Sequence, residues 1–235
     1  MPKILTNKDN LQVLYEDNHL LIINKRVGDI VQGDKTGDTP LSEILKSYIK
    51  EKYHKPGNVY LGVPHRLDRP TTGIVVFTKT SKALSRISKL FSQGQIQKTY
   101  WAVVKERPVP EKGTLVHWLL KNEKKNKSVP YSSEIKGSKQ AILHYKLKYS
   151  TDNYHCLEID LETGRHHQIR CQLASIGCPI KGDLKYGFAR SNPDAGIHLH
   201  ARKIVFTHPV SKAEIEIEAP PPAGDPVWKA IMNLQ

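Results

Sequence analysis

Cysteine is sparse in this 235-residue chain: Cys156, Cys171 and Cys178 form an odd set. That is no disulfide framework, and it fits a reducing compartment. Cys171 and Cys178 lie near His166 and His167, but no paired CxxC spacing occurs. A structural zinc site is therefore not expected, and the thiols read as small packed apolar groups. No apolar stretch approaches the roughly 18 residues that a membrane span needs. The opening MPKILTNKDN lacks the apolar segment of a secretory signal, so the cytoplasm is the expected compartment. Neither type of glycine-rich phosphate loop is present. Negative charge is also short: 23 Asp and Glu face 36 Lys and Arg, a net +13. An excess this large on a small chain makes a long-range field suited to a polyanion, because cationic side chains displace the counterions condensed on phosphates. The bland counterpart is a basic surface that serves solubility.

What is present is ordinary globular material. Hydrophobic residues make up 38% and charged residues 25%, which argues against an intrinsically disordered chain. No repeat or long linker divides it, and a single domain with a core over about residues 11–220 is expected. Strands are predicted at 11–15 and 20–24 around a Glu16-Asp17-Asn18 turn, and at 74–78 and 100–104. Thr39 and Pro40 suggest the cap and first position of a helix bearing Leu41, Ile44, Leu45, Tyr48 and Ile49. A short apolar run covers 59–63. A second helix is predicted over 81–91 and a third over 166–176, closed by Gly177. Pro108 and Pro110 mark a loop. The basic run 121–127 (KNEKKNK) reads as a solvated loop, or as one that touches phosphates. Strands at 141–149 and 154–161 suggest a hairpin around Asp152-Asn153. Late strands are predicted at 197–200, 203–207 and 214–218, with a short helix from Pro226. Hairpin spacing dominates, so the expected class is α+β with a largely antiparallel sheet.

Two segments concentrate chemistry. Between apolar strands, 64–73 packs His65, Arg66, Asp68 and Arg69 ahead of Pro70, Thr71, Thr72 and Gly73. A carboxylate among cations is held ionised. A structural ion pair at a strand end would look the same. In the second segment, Glu162-Thr163-Gly164-Arg165-His166-His167-Gln168-Ile169-Arg170, Arg170 sits at the shoulder of an apolar helical stripe of Ile169, Leu173 and Ile176. A partly buried arginine there calls for a carboxylate, with Asp68 and Glu162 as candidates.

His65-Arg66-Leu67-Asp68-Arg69-Pro70-Thr71-Thr72-Gly73 resembles the HRLDxxTSG signature of the RluA-type pseudouridine synthases. The stretch 161–180 is similar to that family's second block, TGRxHQIRxHL…GxPI, followed by Gly182-Asp183 and Tyr186-Gly187. Gln97-Lys98-Thr99-Tyr100 matches the intervening K-x-Y strand, and His198-Leu199-His200-Ala201 a late LHA element. Thr72 replaces the commoner Ser and keeps its hydroxyl. Gln172 replaces the commoner His, which puts that position's role in doubt. No room is left for the small N-terminal S4 domain that many relatives carry.

The resemblance implies a pseudouridine synthase fold with a central RNA-binding cleft. It implies isomerisation of uridine to pseudouridine in tRNA, rRNA or both, with no redox cofactor, metal or nucleotide fuel; apart from the resemblance, a monomer is the default expectation. Asp68 is then the essential carboxylate, either as nucleophile or as the base that takes the ribose 2′ proton. Arg170 is its cation. Tyr100 stacks on the uracil and takes part in removing the C5 proton; as a phenol is a weak base, stacking is the firmer of the two roles. Ile169 packs on the base's other face or serves only the core. The target must leave its stack, and Arg66 fills the vacated space or contacts phosphate. His65 orients by hydrogen bonding. Arg69, Thr72, Arg165, His167 and Gln168 complete the expected RNA-binding set. Two other readings remain: a non-catalytic RNA-binding module that keeps the fold, and a glycosidic hydrolase, which lacks a second carboxylate at a matching motif.

Overall fold

The computed structural model describes residues 5–34 and 37–235. The opening segment read for a secretory signal begins in residues 1–4, outside the described residues. Two compact units emerge. One comprises the chain up to Ile96 with Ala201–Pro221, the other Gln97–His200 with Pro222–Gln235.

In the first unit, β1 (Val13–Glu16), β2 (Leu20–Lys25) and β3 (Thr72–Thr78) are adjacent and antiparallel. Beside β3 runs β9 (Leu199–Thr207), whose residues from Ala201 onward belong to this unit, and β10 (Glu214–Glu218) pairs with β9. Every residue of β2 and β3 is buried, so the alternation of a half-wet strand is absent there and an apolar run replaces it. Helix α1 (Leu41–Lys52) lays Leu41, Leu45 and Ile49 on Leu21, Ile23, Val75 and Phe77. Its start is one residue later than expected. Pro40 holds the cap position with extended backbone, and the carbonyls of Ile30 and Val31 accept from the N–H groups of Leu41 and Ser42 at 2.8 and 3.3 Å. Helix α2 (Ser81–Ser92) packs on β3 and is capped by Thr80, whose hydroxyl accepts from the Ala83 N–H at 3.1 Å.

In the second unit the strand order is β4 (Gln97–Val104), β8 (His155–Leu161), β7 (Lys139–Ser150), β5 (Lys112–Asn122) and β6 (Lys127–Tyr131), all antiparallel neighbours. The expected hairpin around Asp152-Asn153 joins β7 to β8. The basic run is the tip of the β5–β6 hairpin, a connection with no strand expected on either side. Helix α3 (Gln168–Ser175) seats Ile169 and Leu173 on Leu143, Tyr145, Leu157 and Ile159. Helix α4 (Pro226–Met232) seats Trp228 and Ile231 against Trp101, Val103 and Cys156. Asp225 caps α4, accepting from the N–H groups of Val227 and Trp228 at 2.9 Å. The two late strands expected at 197–200 and 203–207 are one strand, β9. The apparent break is Arg202, which is buried and donates to the Ala219 carbonyl at 2.6 Å. Among the described residues no helix is long and apolar enough to cross a membrane.

The first unit has one polar knot. Glu16, at the end of β1, accepts from Lys52 (2.7 Å), Tyr48 (2.9 Å), Tyr53 (2.9 Å) and Lys79 (3.0 Å). Burial works to raise this carboxyl, and the hydrogen bonds from Lys52, Lys79, Tyr53 and Tyr48 outweigh it and hold its pKa at about 2. A carboxylate depressed on folding stabilises fully above its unfolded pKa and loses that contribution as pH falls toward the folded one. Glu16→Gln is therefore expected to cost ~2 kcal/mol at neutral pH. It should also flatten the loss of stability between pH 4.5 and about 2. Chemical denaturation across that pH range checks both.

Candidate active site

In the first unit the HRLD segment is fixed from beneath. His65 Nε2 accepts the Val76 N–H at 2.9 Å, and the ring lies tilted against Phe91 with the ring centres 4.5 Å apart. Accepting at Nε2 leaves the neutral ring's proton on Nδ1. The carbonyl of Asp68 accepts from the Thr71 N–H at 3.0 Å and closes a turn. Under that turn lies Lys25, 1% exposed, whose ammonium donates to the carbonyls of Arg26 (2.9 Å), Arg69 (3.1 Å) and Thr71 (2.7 Å). These carbonyls offset the ammonium's loss of water. Arg69 is tied back to Gly28 twice: its carbonyl accepts the Gly28 N–H at 2.9 Å, and its Nε donates to the Gly28 carbonyl at 3.1 Å. Its guanidinium also pairs with Asp38. Thr72 is buried at the start of β3. Gly73 follows with φ of +109°, and a Cβ there would lie 2.3 Å from the carbonyl oxygen of Ala201, so only glycine fits. Arg66 is exposed and Asp68 half-buried.

In the second unit the TGRHHQIR segment builds its own corner. Thr163 Oγ1 accepts the Ile142 N–H and donates to Gln168 Oε1, both at 2.8 Å. Gln168 Oε1 also accepts the Arg165 N–H at 3.0 Å, while its Nε2 donates to the Ile142 carbonyl at 3.0 Å. Arg165 is exposed, and its Nε donates to the Gln140 carbonyl at 2.9 Å. His167 takes a left-handed conformation, φ 52°, as the N-cap, so α3 begins at Gln168 and not at 166. Its ring stacks on His166 at 3.8 Å and its Nδ1 lies 3.0 Å from the Tyr186 hydroxyl. His167 and Gln168, expected to meet RNA, are buried and serve this corner.

Arg170 is buried, and its fork closes on Asp183: Nε to Oδ2 at 2.7 Å and Nη2 to Oδ1 at 2.9 Å. The guanidinium carbon stands 5.2 Å from the centre of the Tyr186 ring. Burial pushes the Tyr186 pKa up, so it stays a neutral phenol; it accepts the Ser128 N–H at 2.8 Å. Glu162, one of the two carboxylates expected for Arg170, is instead 2.7 Å from His144. The partner that sequence reasoning missed is Asp183. Its signal was the Gly182-Asp183 pair just after the second block, which carried no assigned role. Gln172, where the family more often has His, is fully buried and donates from Nε2 to the carbonyls of Leu115 (3.0 Å) and Ala141 (3.2 Å).

Tyr100, on β4 opposite Ile159, is half-buried against the same apolar cluster that contains Ile169. Beside it in sequence, Lys98 is partly buried, and burial lowers its pKa. The first unit thus gathers His65, Arg66, Asp68, Arg69 and Thr72, and the second Tyr100, Arg165, His167, Gln168, Ile169 and Arg170. Among the described residues no group of three or more His, Cys, Asp and Glu side chains is arranged to hold a metal ion.

A family model described as RNA pseudouridylate synthase matches residues 19–175. An uncharacterised RNA pseudouridine synthase of Bacillus subtilis is 33% identical over 94% of this chain and 72% of its own length. A tRNA pseudouridine synthase C of Vibrio vulnificus is 30% identical over 95% of this chain and 94% of its own. A ribosomal large subunit pseudouridine synthase C of Rickettsia bellii is 32% identical over 90% and 68%. Among solved structures, human RNA pseudouridylate synthase domain containing 4 superposes with a TM-score of 0.75 at 25% identity, over 90% of this chain and 89% of that one.

Removing one partner of a buried ion pair leaves the other charge uncompensated. Asp183→Ala is expected to cost about 3–5 kcal/mol of unfolding free energy. Urea titration checks this, with the surface change Glu123→Ala as a near-neutral reference.

Proposed function

The chain belongs to the RNA pseudouridylate synthase family and is an isomerase acting on RNA, and we propose that Asp68, Arg170 and Tyr100 carry its chemistry on one uridine extruded from the RNA. In the isomerisation the uracil leaves ribose C1′ at N1, turns, and rejoins through C5; C5 gives up a proton and N1 gains one. No net oxidation occurs, and no metal or redox cofactor is invoked.

One observation supports the assignment most directly. Arg170 is buried, with two donors held by Asp183. A cation that only grips phosphate belongs on the surface, where it can follow the backbone. Asp183 fixes the direction of the desolvated guanidinium, which suits one further anion at a set position and keeps that anion charged. Asp68 is the anion we assign to it. The braced turn over Lys25 fits a group that must not wander during the reaction. Asp68 acts either on the sugar or base as nucleophile or on the 2′ proton as base.

Tyr100, half-buried, stacks on the uracil with Ile169 nearby in its cluster. Arg66, exposed at the head of the loop, takes the vacated space in the RNA or its phosphate. His65 holds the loop and, with Thr72 and Arg69, sets its shape; Arg165 meets the RNA from the second unit. The substrate is tRNA, rRNA or both, since relatives of comparable similarity are named for each. We further propose a cytoplasmic monomer, in keeping with three unpaired cysteines.

The test is tritium release from C5-labelled uridine in tRNA and rRNA transcripts. Wild type releases label. Asp68→Asn falls to background, and Arg170→Lys, which keeps the charge but not the fork, drops about 10²-fold. Full turnover by a clean Asp68→Ala preparation overturns the assignment; binding without any release by wild type makes the chain a passive RNA binder.

A further inference from the structure

The ladder of β5, β6 and β7 has two faces. Leu115, Leu119, Ala141 and Leu143 point into the cores under α3. The residues between them point the opposite way, where Trp118 stands across from Tyr131, Leu120 from Val129, and Val116 from Ile142. The patch is only partly covered: Val116, Val129 and Tyr131 are 49, 38 and 37% exposed, and Trp118, Leu120 and Ile142 are half-buried. Six apolar side chains in register on a wet sheet face are a cost unless something binds there.

The charge around the patch says what. Residues 112–139 hold seven lysines and two glutamates, +5 of the chain's net +13, while Lys146 and Lys148 further along β7 pair with Glu158. Two copies facing each other through this patch would set those like charges together. A polyanion with flat apolar units would be drawn instead. Single-stranded nucleic acid has that composition, because bases stack on aromatic rings while phosphates meet lysines.

We propose that this face is a secondary docking platform for an unpaired segment of the RNA substrate, with Trp118 and Tyr131 as the stacking pair and the β5–β6 hairpin lysines on the phosphates. The inference rests on the chain's being an RNA-modifying enzyme and extends its contact with RNA beyond the extruded nucleoside.

The three tryptophans make the test direct. Trp101 and Trp228 are 2 and 3% exposed, whereas Trp118 is partly exposed, so Trp118 alone responds to a surface ligand. Added oligouridylate should quench the emission saturably, and salt should weaken the effect. Trp118→Phe should abolish the quenching yet keep binding, read by anisotropy of a labelled oligouridylate. Trp118→Ala with Tyr131→Ala should weaken binding about 5- to 100-fold. The phenylalanine variant, kept folded by its ring, guards against misreading a folding defect. Unchanged wild-type emission on saturation, or unchanged affinity in the double variant, overturns the platform. So does self-association that moves Trp118 without RNA. Pseudouridine formation is followed in the same preparations. Product made while Trp118 stays silent sinks the platform alone; a responsive Trp118 with no product in any RNA sinks the activity beneath it.

Discussion

A cation taken out of water must find acceptors inside the protein, and this requirement organises both chemically loaded segments. Lys25 and Arg170 are 1 and 5% exposed. Each finds acceptors close by: Lys25 three backbone carbonyls, Arg170 the two oxygens of Asp183. The acceptors differ, and so do the consequences. Carbonyls bind Lys25 to the turn itself, so the position of Asp68 follows from the end of β2. A carboxylate grips Arg170 along one edge of a planar fork, which fixes the direction of the whole guanidinium.

Each segment turns irregularly before it enters an element, β3 at Thr72 and α3 at Gln168, and both turns are ordered by side chains that bond to backbone. His65, Lys25 and Arg69 do this in the first unit; Thr163, Gln168 and Arg165 in the second. Several residues that the family motif marks as RNA-binding also brace the chain internally. Gln168 is the clearest: its amide oxygen accepts twice and its nitrogen donates to Ile142.

Much of this was legible in the sequence. Helical spacing located α1 and α2, Gly177 closed α3 to within two residues, and the family match set the fold class. β5 escaped because LVHWLL is apolar on both faces, which erases the two-residue alternation that betrays a strand. That double-sided character is also what leaves Trp118 on a wet surface. Lys25 escaped because a lysine ending a strand reads as exposed, and its acceptors are carbonyls that no pattern announces. Asp183 escaped because helical geometry names a face for Arg170 but not the distant loop that meets it.

All three thiols are buried, and burial pushes their pKa values up, to about 12 for Cys171. The folded chain is thus chemically quiet toward alkylating reagents, which need the thiolate. One cysteine introduced at the hairpin tip, at exposed Lys124 for example, would be its sole fast-reacting thiol. A dye or photocrosslinker could then be attached there with the native sequence otherwise intact.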